Sequence, residues 1–425
     1  MIQDLQTIDD PRDTIHRTVQ VLTEGGIVGL PSETVYGLVA NSLNESSVRD
    51  LAAWSAAAWS SSILSDDVTD RFADGRVALS LRSCQTADDF LVQTVADMDD
   101  PAVRARVTLH SLTRRLCERC FPGPLTIIAP ASDHASAISR LPNTVRQWIG
   151  GHSDQPEVAF RVADQRILSH VHRYMAAPLV WAELPDQHGE PITTAKSLEN
   201  RLSVLAEASE TLAPVSLILD DGVSRYGGWG TSVRVNAHTW SIRRNGVIQR
   251  AAMKQFVKPV IAVVCTGNTC RSPMAETLLR DILQTQFGRE DIARVVSAGV
   301  AAGRGGGASP QAVEVMGQMG LDLTGHSSQP LDEELVSMSD LILTMTRRHR
   351  DAILAAYPDR ADRVFTVRRD GGDITDPVGL PVEVYRQCAD QLRTELSKWV
   401  GELGEEFFPQ EVTDGDQECH NEQGE

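Results

Sequence analysis

The rhythm of apolar positions changes along the chain, and the changes divide it. Up to about residue 250, short β-rich runs such as Ile27-Val28-Gly29-Leu30 alternate with helical stretches. Between Ala252 and Pro259 little pattern survives, so residues 251–259 read as a connector. A second series starts at Val260. The run Val260-Ile261-Ala262-Val263-Val264 is continuously apolar and mostly β-branched, which predicts a strand buried on both faces of a parallel sheet. After a loop, Ser272-Pro273 opens a helix, with serine as the N-cap and proline in the first turn. Along it Met274, Leu278 and Ile282 recur every four residues beside Ala275 and Leu279, giving one apolar stripe. Further helices are predicted after Ser309-Pro310, to Met319, and over Glu383 to Trp399, with strands at Val295-Val296 and Leu341-Ile342-Leu343. Alternating strands and helices over 260–403 predict a doubly wound α/β layer. From Gly404 to Glu425 the chain is acidic and, past Phe408, poor in apolar residues, so 404–425 is expected to be a disordered tail.

A length of 425 residues exceeds one ordinary core and agrees with this division into domains. The net charge of −18 disfavours sequence-independent binding to nucleic acid or to an anionic membrane, though it allows a local basic patch. No apolar run is long enough to span a bilayer. Met1 to Asp13 is mixed and acidic, unlike a secretory signal, and a cytoplasmic location is the default expectation. Seven scattered cysteines suit reduced thiols better than a disulfide framework.

The loop after the first buried strand reads Cys265-Thr266-Gly267-Asn268-Thr269-Cys270-Arg271-Ser272. The five residues between Cys265 and Arg271 suit a closed cradle around a phosphate dianion. Successive backbone N–H groups point inward and the following helix presents its positive end there. The same features favour a thiolate at Cys265. The planar guanidinium of Arg271 can hold two phosphate oxygens, and Ser272 is placed to donate its hydroxyl to the sulfur. Attack by Cys265 on phosphorus gives a cysteinyl-phosphate, dividing one hard step into two. One carboxyl group can protonate the leaving group and later activate water, and Asp373-Ile374-Thr375-Asp376-Pro377 supplies Asp376 on a loop stiffened by proline. This scheme requires neither metal nor cofactor.

The segment Val263 to Glu276 resembles the low-molecular-weight protein-tyrosine phosphatase family, including its protein-arginine phosphatase branch. The resemblance continues through Ser297-Ala298-Gly299, Gly325-His326-Ser327-Ser328, Ser339-Asp340-Leu341-Ile342 and Asp376-Pro377. It implies a flavodoxin-like sheet, a phosphorylated protein as substrate, Cys265, Arg271 and Asp376 as the catalytic set, and Thr266, Gly267, Asn268, Thr269, Cys270 and Ser272 around the phosphate. It also implies that Cys270 can form a disulfide with the nucleophile and shield it from over-oxidation. Thr269 resembles the arginine-phosphatase branch, whereas tyrosine-specific members usually carry a bulkier aliphatic residue. Val378 follows Asp376-Pro377 where relatives often carry tyrosine or phenylalanine, which removes a stacking surface. Between Arg271 and Thr375 there is no cysteine to run the disulfide cascade of an arsenate reductase.

The first 250 residues carry Gly25 to Leu38, Phe121-Pro122-Gly123-Pro124-Leu125-Thr126, Val158 to Val162, Gly189-Glu190-Pro191, Gly230-Thr231-Ser232-Val233 and Ile242 to Gly246. Together these resemble the YrdC-type threonylcarbamoyl-AMP synthase family. The resemblance implies an α/β domain over 1–250. Two elements that meet the nucleotide in that family are replaced here. Leu51 to Ser62 contains no basic residue, and Val180-Trp181-Ala182-Glu183-Leu184 stands in place of a serine-alanine-asparagine segment. A degenerate domain serving binding, regulation or stability is therefore expected, with weak nucleotide or RNA binding or a working synthase as the alternative.

Other features receive plainer readings. Cys117 and Cys120 are a helix-borne pair without zinc-ligand company. Gly303-Arg304-Gly305-Gly306-Gly307 is a flexible loop at the rim of the site, Arg347, Arg348 and Arg350 lie on a solvated helix face, and His326 is a structural hydrogen-bonding residue.

Overall fold

The computed structural model describes residues 2–7, 10–61, 74–87, 89–90, 112–131, 137–150, 157–209, 211–236, 238–403 and 407–412. They form two compact units, one from residues up to Phe256 together with Glu411 onward, the other mainly Val257–Gln410.

The first unit is built on one mixed sheet. From edge to edge its strands are Ile2–Asp4, Val215–Asp220, Ile27–Pro31, Tyr36–Asn41, Leu179–Glu183, Val77–Ser80, Glu157–Arg161, Leu125–Pro130, Thr231–Val235, Thr239–Arg244 and Gln410–Glu411. Tyr36–Asn41 runs antiparallel to both neighbours, whereas Val77–Ser80 and Glu157–Arg161 are parallel. Helices Arg12–Thr23 and Arg166–Tyr174 bury Ile15, Leu22, Ile167, Leu168 and Val171 against Val28, Leu30, Val39 and Trp181. Non-directional burial of these apolar side chains is the main force holding the layers together.

Two boundaries differ from those expected. The presumed connector 251–259 is largely a helix, Arg250–Val257, with Met253 and Val257 buried. Two turns are too short for an apolar period to stand out. The presumed tail 404–425 is partly ordered: Phe407 and Phe408 join the core of the second unit, and Phe408 lies 4.9 Å from Phe287 between ring centres. Two phenylalanine rings are enough to hold this stretch against its acidic surroundings. Beyond them Val412 N–H donates to Trp240 O at 2.9 Å, and Glu411 pairs with Arg250 at 2.6 Å and Lys254 at 3.1 Å. Residues 413–425 of that expected tail lie outside the described residues.

The second unit has four parallel strands: β1 (Val260–Cys265), β2 (Arg294–Gly299), β3 (Leu341–Thr344) and β4 (Val364–Thr366). Their order is β2-β1-β3-β4. Alternation along β1 sends Ile261 and Val263 to a core with Met274, Leu278, Leu392 and Leu396, and Ala262 and Val264 to one with Val336 and Ile353. Helices thus cover both faces, which accounts for the unbroken apolar run. Because β2 lies on one side of β1 and β3 on the other, the crevice at the carboxyl end of β1 is a topological switch point, where open α/β sheets place ligands. Cys265 ends that strand. The following helix, α1 (Arg271–Phe287), starts two residues earlier than expected, and Cys270 is its N-cap, not Ser272. The Ser272 hydroxyl is turned instead toward Cys265 and Ala298 O.

Candidate active site

The loop 265–271 closes around the Cys265 sulfur. Asn268 N–H donates to it at 3.2 Å, and Ser272 Oγ lies 3.0 Å from it. Asn268 makes the fold of the loop possible. Its φ is +54°, a left-handed conformation that asparagine tolerates better than most residues. Its side chain is buried and spans two elements: Nδ2 donates to Ser272 Oγ at 3.0 Å, and Oδ1 accepts Gln329 N–H at 2.9 Å. His326 Nε2 bonds to Asn268 O at 2.7 Å, so this histidine is structural, as its position in the sequence suggested. The outer side of the loop is pinned by Val300 N–H to Cys265 O and Ala301 N–H to Thr266 O, both 3.0 Å, and by Ser309 N–H to Thr269 O at 2.8 Å.

Arg271, in the first turn of α1, is 4% exposed. Its Nη1 donates to Ile374 O at 3.2 Å and its Nη2 to Asp376 Oδ2 at 2.5 Å, while Nε is buried with no hydrogen-bond partner. A buried guanidinium with an unmet donor at the mouth of an amide-lined loop is an anion receptor. Cys265, Arg271 and Asp376, more than a hundred residues apart at the extremes of the motif, are thereby brought to one place. Gly267 and Thr269 are half-buried and Thr266 is exposed on the rim.

The model of the family "Low molecular weight phosphotyrosine protein phosphatase" matches residues 260–408. This chain belongs to that family. A protein-arginine-phosphatase of Bacillus subtilis (strain 168) is 40% identical over 148 residues, 34% of this chain and 95% of the relative. A probable low molecular weight protein-tyrosine-phosphatase, EpsP, of Ralstonia nicotianae is 37% identical over 141 residues, 33% of this chain and 92% of the relative. Among solved structures, the YwlE arginine phosphatase from Geobacillus stearothermophilus is 38% identical, covering 34% of this chain and 92% of that one with a TM-score of 0.32. The second unit is a cysteine-dependent protein phosphatase domain of this kind. Among the described residues no helix is long and apolar enough to cross a membrane.

Several residues around the phosphatase loop were not singled out beforehand. Thr266 Oγ1 lies 2.8 Å from His349 Nε2, and His349 is buried with Nδ1 lacking a hydrogen-bond partner. Burial, and then the positive charge of Arg271, hold this imidazole below the ordinary histidine range. Cys270 S–H donates to Ser309 Oγ at 3.4 Å and lies 3.5 Å from Tyr385 OH. Burial and the Cys270 contact raise the Tyr385 phenol above its usual range. Gly299 has no room for a side chain: a Cβ there would sit 2.5 Å from Thr266 O and 2.9 Å from Asn268 N. Of the partners His349, Ser309, Tyr385 and Gly299, only Gly299 and Ser309 left a signal, through Ser297-Ala298-Gly299 and Ser309-Pro310. Val378 is 63% exposed, so no ring projects from that position.

In the first unit, the residues standing where nucleotide contacts were sought are buried and mutually paired. Arg161 bonds Glu183 and Glu33, each at 3.0 Å, and Arg244 Nη1 lies 2.7 Å from Glu183 Oε2. Trp181 is fully buried and carries the Arg161 guanidinium over its ring, 5.1 Å from the centroid. Trp59, from the stretch lacking basic residues, donates to Glu183 O at 3.0 Å and lies under Arg76. Cys117 and Cys120 lie on helix Leu112–Cys120, and burial pushes the Cys120 thiol up to about 12.

Proposed function

We propose that the second unit hydrolyses phosphoarginine or phosphotyrosine in proteins, with phosphoarginine preferred, through a cysteinyl-phosphate on Cys265. The observation that carries this reading is the Cys265 sulfur held between Asn268 N–H and the Ser272 hydroxyl, on a loop whose exit is guarded by buried Arg271. Amides and the start of α1 stabilise the sulfur as an anion, and Arg271 takes phosphate oxygens bidentately. The sulfur forms a bond to phosphorus as the bond to the leaving nitrogen or oxygen breaks. Asp376, carried on the loop beside Arg271, gives that atom its proton. The carboxylate then takes a proton from water, which attacks phosphorus and releases inorganic phosphate and the thiolate. Thr269 favours the guanidino substrate, and the 40% identity to a protein-arginine-phosphatase supports it, while the missing ring at Val378 takes a wall from either substrate. The test compares kcat/KM on phosphoarginine and phosphotyrosine peptides, with Thr269→Ile alongside; an unchanged preference in that variant sinks the use of Thr269. Cys265→Ser is expected to abolish turnover, and Asp376→Ala to slow poor leaving groups most.

The first unit is proposed to be a YrdC-like domain that no longer makes an adenylate. The Glu33–Arg161–Glu183–Arg244 network supports this, since its buried arginines are already committed to carboxylates and are not left for the phosphates of a nucleotide. Titration of ATP into the full chain carrying Cys265→Ser is expected to release no measurable heat. Tight binding would restore the synthase or nucleotide-binding reading.

A further inference from the structure

The three arginines of Thr346-Arg347-Arg348-His349-Arg350 are not explained by the catalytic chemistry. They occupy the first turn of helix Arg347–Ala356, where the helix dipole is positive and the turn carries no acidic residue of its own, Asp373 reaching only the Arg347 N–H from another loop. Placement there works against helix stability, so another use of the charge is indicated. Two of them line a hollow. Arg347, Arg350, Phe365, Arg368, Arg369 and Trp399 line an open cavity of about 330 Å3, with Asp370 and Gly371 also in its wall. Arg368 is neutralised by Asp370 at 2.6 Å, and Arg369 pairs with Glu402 while lying 4.0 Å over the Trp399 ring. Arg347 and Arg350 have no carboxylate partner among the described residues. The Arg347 Nε donates to Gly371 O at 2.5 Å, the Arg350 Nε reaches Val364 O at 3.4 Å, and their outer nitrogens are left for a ligand. The hollow adjoins the catalytic loop. Arg347 N–H donates to Asp373 Oδ1 at 2.8 Å, three residues before Asp376, and His349 in the same turn bonds Thr266.

We propose that this hollow binds an anionic stretch of the phosphoprotein substrate, in carboxylates or a second phosphate, flanking the residue being dephosphorylated. The proposal rests on the phosphatase reading and names a substrate class for it. The positive hollow offers the only kind of complementarity such a substrate needs on a chain of net charge −18, which would otherwise repel it. Bidentate arginine contacts supply the geometry, and the Phe365 and Trp399 rings give an apolar floor.

The test uses the full chain and peptides sharing one phosphoresidue, flanked by glutamate, glutamine or lysine, plus one carrying a second phosphate. At low salt kcat/KM for the glutamate peptide is expected to exceed that for the glutamine peptide by about five- to tenfold, as two partly exposed contacts would give. The excess should vanish near 0.5 M salt, about five times the ionic strength at which screening reaches 10 Å. Replacing both arginines, Arg347→Gln with Arg350→Gln, should bring the ratio close to one. An excess confined to the doubly phosphorylated peptide identifies phosphate as the anion. Equal turnover of glutamate, glutamine and doubly phosphorylated peptides by the unaltered chain overturns the proposal even if the double variant does not fold. Failure to hydrolyse a simple aryl phosphate would instead overturn the phosphatase reading, and this one with it.

Discussion

Replacing Asn268 by alanine isolates the part of the site that sequence spacing does not reveal. Alanine removes the bond from Nδ2 to Ser272 and the one from Gln329 N–H to Oδ1, each at about 3 Å and both buried. Two such bonds contribute about 1 kcal/mol each, and leaving the Gln329 N–H unmet adds about 1–3 kcal/mol. The φ of +54° costs alanine about 1 kcal/mol more. The sum is about 4–6 kcal/mol against the closed loop. If about 2 kcal/mol of this falls on the transition state, kcat/KM drops about thirtyfold. Asn268→Gly keeps the left-handed backbone and should recover only the last contribution, about twofold at the same share. The assay is turnover of an aryl phosphate, with denaturant unfolding run in parallel to separate loop opening from global loss. If Asn268→Ala kept kcat/KM within twofold of the unaltered chain, the loop would not depend on this side chain, and the account of how the sulfur is enclosed would be wrong.

Other expectations concern both units. Gly299→Ala would force a Cβ against Thr266 O and Asn268 N, and should cost about 100-fold in kcat/KM by displacing the loop, while the unfolding midpoint moves by only the ~1–3 kcal/mol of an overpacked site. His172 is buried against Ser80 Oγ at 2.8 Å, and burial lowers its pKa from 6.5 to about 4. Below pH 6.5 the unfolded chain takes a proton that the folded chain refuses, so stability present above that pH should fall by about 3 kcal/mol as pH drops to 4. His172→Gln should flatten that decline in denaturant titrations at several pH values; an equally steep curve would remove His172 as its cause. Arg161→Met leaves Glu33 and Glu183 facing each other without their shared cation and should destabilise the first unit by about 3–5 kcal/mol, read as a loss in its unfolding transition.

The phosphate loop was legible because its chemistry is contiguous. A buried strand, a short loop and a helix start are written in adjacent residues, and Asp376-Pro377 stands out locally. The parallel sheet followed from the unbroken apolar run of β1. Most of what holds the loop was not legible, because the partners come from afar: Gln329 for Asn268, His349 for Thr266, and Ser309 for Thr269, whereas His326 was read as a hydrogen-bonding residue without its partner. No periodicity marks a residue whose importance lies in one long-range bond. Helix Arg250–Val257 was missed because two turns leave no countable pattern, and Phe407 and Phe408 because their acidic neighbours dominate composition. The arginines of the 347–350 turn were read as solvated, and Arg347 and Arg348 are exposed; what a sequence cannot tell is that Arg347 and Arg350 also wall a hollow.

The contact between Arg271 and Asp376 has a bearing on turnover. With no substrate present, the guanidinium already holds an oxyanion, one the polypeptide brings with it. In the reaction proposed above, an incoming phosphoryl group would compete with that carboxylate for the guanidinium, and an Asp376 so displaced would be free to face the departing atom. By the same competition the carboxylate would take back the arginine as inorganic phosphate leaves, so that the chain's own anion favours release of the product.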